Sequence, residues 1–211
     1  MDLSLLQKIT VYALPVLLAI TVHEAAHAYA AKRCGDPTAF VLGRMTLNPL
    51  KHIDPVGTVL LPLVCMFLGG FIFGWAKPVP VNFGALKHPR SGTLIVAAAG
   101  PLANLAMALI WTLLLKLALT MENGYTEPLL LMSQAGMMIN VMLMALNLLP
   151  ILPLDGGRIL GSLLPPRLAW QYSRIEPYGM WILILLLAFN LLTPLLSPLV
   201  QLVYSLLSLL V

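Results

Sequence analysis

Long uncharged stretches alternate with short polar ones along this chain. Residues 9–23, 55–76, 91–115, 128–154 and 177–211 contain no Asp, Glu, Lys or Arg. A helix needs about 20 mostly apolar residues to cross a bilayer. The first run must therefore extend to give a span over about 8–31, whereas 91–115 and 128–154 each suffice for one span. The last run holds Pro194 and Pro198, which interrupt a helix. They predict helices over about 177–193 and 197–211 with a turn between them. The run 55–76 is long enough to span, but Pro62, Gly69, Gly70 and Gly74 favour a re-entrant segment over 56–75. The pattern predicts an all-α polytopic membrane protein of about five transmembrane helices plus a re-entrant or sixth segment. Short β-strands are expected in the loops, two within 39–47 and an extended edge over Val79–Asn82, where Pro80 tolerates only an edge position.

Composition agrees with this reading. The 211 residues are 60% hydrophobic and 9% charged, against roughly 25% charged in soluble domains. The expected organisation is one integral membrane domain, 1–211, with a core of about 10–160 and C-terminal helices over about 177–211. No basic stripe interleaved with aromatics is present, so no nucleic-acid partner is expected. Cys34 and Cys65 follow no metal or redox spacing and read as packing thiols. No small-residue cleavage pattern precedes residue 23, so the first apolar segment is expected to stay as a membrane helix.

Basic residues set the orientation. Lys32, Arg33, Arg44, Lys51, Lys77, Lys87 and Arg90 lie between the first span and residue 91, and Arg158, Arg167 and Arg174 follow residue 154. The loop 120–127 holds only Glu122 and Glu127. With 56–75 re-entrant, all ten basic residues share one side. The positive-inside rule then puts the N-terminus outside and the loops 32–90 and 155–176 in the cytoplasm.

The chemistry starts at His23-Glu24-Ala25-Ala26-His27, inside the first apolar segment. Residues at i and i+4 share a helix face, so both imidazoles can bind one zinc ion while Glu24 acts as general base. Ionisable residues at membrane depth are costly and by default mark function. A catalytic zinc wants a third protein ligand and an open position. His52 and His88 sit in polar loops and read as solvated. Asp155 ends the uncharged run 128–154, in a Pro- and Gly-rich stretch that stops a regular helix. Both the motif and Asp155 arrive near the inner boundary. Asp155 could also cap a helix or pair with Arg158. Gly100-Pro101 reads as a kink or helix start, and Asn104 as an interhelical hydrogen-bonding residue.

Three blocks in order resemble the site-2 protease family of intramembrane zinc metalloproteases: His23–His27, Ala99-Gly100-Pro101-Leu102-Ala103-Asn104, and Asn147 to Gly157. The stretches Asn48–Pro55 and Trp75–Asn82 resemble compact bacterial members without PDZ or CBS domains. The resemblance implies one zinc ion per chain on His23, His27 and Asp155, Glu24 as base, and Asn147 as oxyanion donor. It implies cleavage of transmembrane segments of other membrane proteins, in a bacterial cytoplasmic membrane, with the active site near the cytoplasmic side. The alternatives are a metal-binding transporter, against which no inverted repeat is visible, and an inactive scaffold, which would have no use for Glu24.

Overall fold

The structure is a computed structural model that describes residues 4–60, 77–122 and 124–211. Helix α1 runs Leu5–Cys34. Its start is fixed by a reciprocal cap: Gln7 N–H donates to the Ser4 hydroxyl, and Ser4 N–H donates to the Gln7 side chain. Its end is fixed by Gly35, whose φ of 109° is left-handed, a conformation that costs glycine nothing. Lys32 and Arg33 occupy the last turn, where the helix dipole favours cations.

A short helix α2, Thr38–Val41, follows. Helices α3, Pro89–Leu119, and α4, Thr126–Asn147, come next. Then come α5, Asp155–Leu163, α6, Pro166–Ser173, α7, Glu176–Ala188, and α8, Leu192–Ser208. Among the described residues, α1, α3 and α4 are long and apolar enough to cross a membrane, and α7 with α8 form one more candidate if counted as a single bent span.

Helix α3 is the central element and packs on α1, α4 and α5. Lipid offers no hydrophobic drive for helix association, so close packing of small residues does the work. Ala19, Ala25, Ala28, Ala31, Ala97 and Ala108 are almost fully buried. Gly136 of α4 lies so close to Trp111 of α3 that a Cβ there would stand 2.3 Å from the indole. By contrast Leu102, Ile110, Leu113 and Leu117 are exposed on the outside of α3, as a lipid-facing surface requires.

Three expectations need correction. Residues 39–47 form no strands: α2 and turns occupy them. Asp36 accepts from the Thr38 N–H and hydroxyl, starting a helical turn that the β-propensity of Phe40 and Val41 does not override. No strand occurs among the described residues, although 77–82 is an extended strap. The C-terminal break falls at Phe189–Leu191, not at the prolines. There Asn190 takes a φ of 55°, and α7 and α8 meet at 87°. Pro194 sits in the first turn of α8, where its missing N–H is no loss. At 1.5 Å per residue, α7 and α8 are about 20 and 26 Å long, each short of a roughly 30 Å hydrocarbon core; five full spans are therefore not observed among the described residues. The re-entrant expectation for 56–75 lies mostly outside them, after a π-helical stretch Pro55–Leu60.

Candidate metal centre

His23 and His27 sit on adjacent turns of α1, and both are buried. Their Nε2 atoms are 3.0 Å apart. Asp155, the first residue of α5, brings Oδ2 to 3.3 Å from each. That oxygen is buried and has no hydrogen-bond partner. Arg158 does not compete for it, because its guanidinium pairs with Glu176 at 3.1 Å and lies over the Phe83 ring. Among the described residues this is the one group of three donors suited to a metal ion. Glu122, Glu127 and His88 take no part. His52 is also outside it, yet it is buried and not solvated: its Nε2 lies 3.0 Å from the Thr46 carbonyl.

The imidazoles are held from behind by one face of α3. His27 Nδ1 is 2.7 Å from the Val96 carbonyl, which can only accept, so Nδ1 carries the proton. His23 Nδ1 is 2.6 Å from Asn104 Oδ1. Because His23 meets Asn104 and His27 meets Val96, α1 and α3 run antiparallel. Midway between these contacts lies Gly100. A Cβ on it would stand 2.5 Å from His27 Nε2 and 2.6 Å from His23 Nε2. Gly100 thus reads as a cradle inside the continuous helix Pro89–Leu119, not as a helix start. The spacing of Val96, Gly100 and Asn104, each about one turn apart, puts them on one helix face, but only the alignment of α1 with α3 makes that face the support of the two histidines.

Glu24 reaches the polar side. Its Oε2 accepts the Val79 N–H at 2.7 Å, and Oε1 has no partner among the described residues. This contact ties the strap to the motif. The strap is pinned further by Asn82 N–H on Asp36 Oδ2 at 2.7 Å, Lys77 N–H on the His52 carbonyl at 2.9 Å, and Arg44 on the Lys77 and Pro78 carbonyls. Asp36 is fully buried. Burial alone would raise its pKa, but the donors from Thr38 and Asn82 outweigh it and hold the carboxyl below its ordinary value. Neither Asp36 nor Arg44 stood out in the sequence. Asn147 is at the end of α4 and donates from Nδ2 to the Leu143 carbonyl, so it is not bonded to the three donors. Cys34 is half-buried and free; Cys65 lies outside the described residues.

Comparison with known proteins identifies the family. The profile of peptidase family M50 matches residues 11–128. The chain belongs to peptidase family M50. It is 39% identical over 175 residues to YwhC of Bacillus subtilis (strain 168), named a zinc metalloprotease, covering 81% of this chain and 77% of that one. It is 31% identical over 176 residues to Rip2 of Mycolicibacterium smegmatis, also so named, covering 81% of this chain and 64% of the other. A third relative, the zinc metalloprotease MJ0392 of Methanocaldococcus jannaschii, is 25% identical, with 75% and 35% covered. No solved structure matches the chain. This M50 member is a zinc metalloprotease of membrane-length helices. Its donor set fits the metal. Four tetrahedral ligands with bonds of about 2.0–2.1 Å lie about 3.3 Å apart, close to the separations of His23, His27 and Asp155. The unpartnered Asp155 oxygen and the space kept by Gly100 point the same way.

Proposed function

We propose that His23, His27 and Asp155 bind one zinc ion and that Glu24 is the general base of peptide hydrolysis within the membrane. The convergence of His23 Nε2, His27 Nε2 and Asp155 Oδ2 within 3.0–3.3 Å of one another, with both nitrogens against Gly100 and Glu24 next to His23 on α1, carries this reading. Bound zinc supplies Lewis acidity, lowering the pKa of water and polarising the scissile carbonyl. Glu24 then takes the proton of the attacking water and passes it to the leaving amine. The Val79 N–H on Oε2 fixes the carboxylate rotamer and leaves Oε1 for that transfer. Asn147 is proposed to donate to the developing oxyanion with the amide proton that Leu143 does not take; loss of such a donor costs about 10²–10³ in rate. In detergent-purified protein, Glu24→Gln will abolish hydrolysis while zinc stays at one per chain. Retained hydrolysis would remove Glu24 from the role, and a zinc-loaded wild type that hydrolyses nothing would reopen the scaffold reading.

The proposed substrates are transmembrane segments of other proteins, and the proposed setting is a bacterial cytoplasmic membrane. The N-terminus is external, with 32–90 and 155–176 cytoplasmic. Arg90 supports the pairing of those two regions, since its guanidinium donates to the Ser162 and Leu164 carbonyls at the end of α5. The loop after α3 lies about 46 Å away by helix rise, on the other side. A helical peptide bond must unwind before attack, and its bare backbone groups cost several kcal/mol each in lipid. The extended strap 77–82 is suited to receive them by strand addition. In this reading residues 1–211 act as one protease domain.

A further inference from the structure

Asn104 lies at membrane depth in α3 and is fully buried. Every polar atom of its amide has a partner. Nδ2 donates to the Ala19 carbonyl at 3.2 Å and to Asn140 Oδ1 at 2.9 Å. Asn140, equally buried on α4, donates in turn to the Gly136 carbonyl at 2.8 Å. The two carbonyls at the ends of this chain can only accept. They fix both amides in one orientation, with Asn104 Oδ1 turned to His23. An oxygen there can only accept, so the His23 proton sits on Nδ1 and the lone pair on Nε2. His27 is set the same way by the Val96 carbonyl. Two imidazole lone pairs and a carboxylate oxygen then face one another within 3.0–3.3 Å, an arrangement that repels itself without a cation.

We infer that Asn104 is a positioning residue of the metal site, held in register by Asn140 and Ala19, which fixes the tautomer and ring plane of His23 for metal binding. The inference rests on the proposed reading of His23 as a ligand. It assigns the buried asparagine pair a purpose beyond joining helices. Interhelical bonding needs only that the amides pair with each other; it does not need Oδ1 of Asn104 on an imidazole. Partners of this kind behind metal-bound histidines typically carry about 10–100-fold of metal affinity.

The test uses the full-length protein loaded with cobalt(II). Asn104→Leu, close to isosteric, will lower cobalt affinity about 10–100-fold in chelator competition and alter the visible cobalt spectrum. Thr112→Val removes another buried polar group from α3, one bonded only to the Ala108 carbonyl, and will change neither. If Asn104→Leu binds cobalt with wild-type affinity and spectrum while His23→Ala does not, Asn104 has no positioning role and the metal site stands. If His23→Ala also binds as wild type, the ligand reading fails, and this inference with it. Should Asn104→Leu not fold, ¹⁵N NMR of histidine-labelled, zinc-loaded wild type decides. A protonated Nδ1 on His23 supports the inference, and a metal-bound Nδ1 overturns it.

Discussion

Gly100→Ala isolates the cradle from the ligands. The added methyl carbon would stand 2.5 Å from His27 Nε2 and from His23 Cε1, and 2.6 Å from His23 Nε2, where ordinary contact begins at 3.4 Å. Something must shift by about 0.9 Å. Helix α3 cannot simply retreat, because the Val96 carbonyl and Asn104 hold the same two rings one turn to either side. The imidazoles must therefore leave the positions in which their Nε2 atoms stand 3.3 Å from Asp155 Oδ2. Overpacking of this kind costs about 1–3 kcal/mol of stability. The loss of metal is the larger effect, because the methyl stands beside all the donor nitrogens at once. We expect zinc affinity to fall at least about 100-fold, equivalent to about 2.8 kcal/mol at 1.4 kcal/mol per tenfold. Gly92→Ala is the control on the same helix: its methyl meets the Leu86 side chain at 3.1 Å and none of the donors, so zinc will be retained. Asp155→Ala, which removes a proposed ligand, is the reference for metal loss. Chelator competition gives the affinities, and thermal unfolding in one detergent gives the stabilities. Wild-type zinc affinity in Gly100→Ala would refute the cradle, however unstable the variant.

Two shorter predictions concern the strap and the topology. Asp36→Asn turns an amide NH₂ toward a backbone N–H that the carboxylate accepted, so stability will drop by about 1–3 kcal/mol, and limited proteolysis within 77–88 will speed up. The Asp36 pKa is lowered by folding, so its contribution is full above the unfolded value near 3.9 and is lost as pH falls through the lower folded value. Acidification below about pH 4 will therefore loosen the strap of the wild type, with no such step from this residue in Asp36→Asn. Single cysteines at positions 82 and 123, in a cysteine-free background, will label from opposite sides of the membrane; labelling from one side rejects the proposed orientation.

The parts of the site legible in the sequence were those set by local periodicity. His23, Glu24 and His27 are fixed by a single helix, so their spacing alone gives their geometry. Asp155 was legible because it ends a long uncharged run and few other carboxylates could reach its depth. Gly100 and Val96 were not, since their importance depends on how α1 and α3 align across a gap of some 70 residues. Asn104 was read correctly as an interhelical bond, but its partner was not foreseeable. The C-terminal break shows the limit of a rule: Pro194 marks a helix start, while Asn190 makes the turn through a left-handed φ that the sequence does not announce. At 39–47 strand propensity lost to the buried carboxylate of Asp36, a contact that also reaches Asn82.

The strap offers a sharper test of how a substrate would be held. In an extended chain alternate residues turn their backbone groups to the same side. Val79 and Val81 thus face one way, and Asn82 the other, where its N–H meets Asp36. Val79 N–H is engaged by Glu24, and Pro80 has none. Val81 N–H is therefore the one donor between 79 and 82 without a partner among the described residues, on the side of Glu24. A peptide added along this edge must meet it first. Val81→Pro deletes that donor and keeps an apolar side chain in an extended backbone. One hydrogen bond contributes about 0.5–1.5 kcal/mol, so KM for a transmembrane substrate peptide will rise about 2- to 12-fold. The metal and Glu24 are untouched, so kcat and zinc content will hold. Steady-state cleavage in mixed micelles separates the two constants. An unchanged KM would mean that substrates do not pair with this edge, and a fall in kcat alone would mean that the strap serves the base instead.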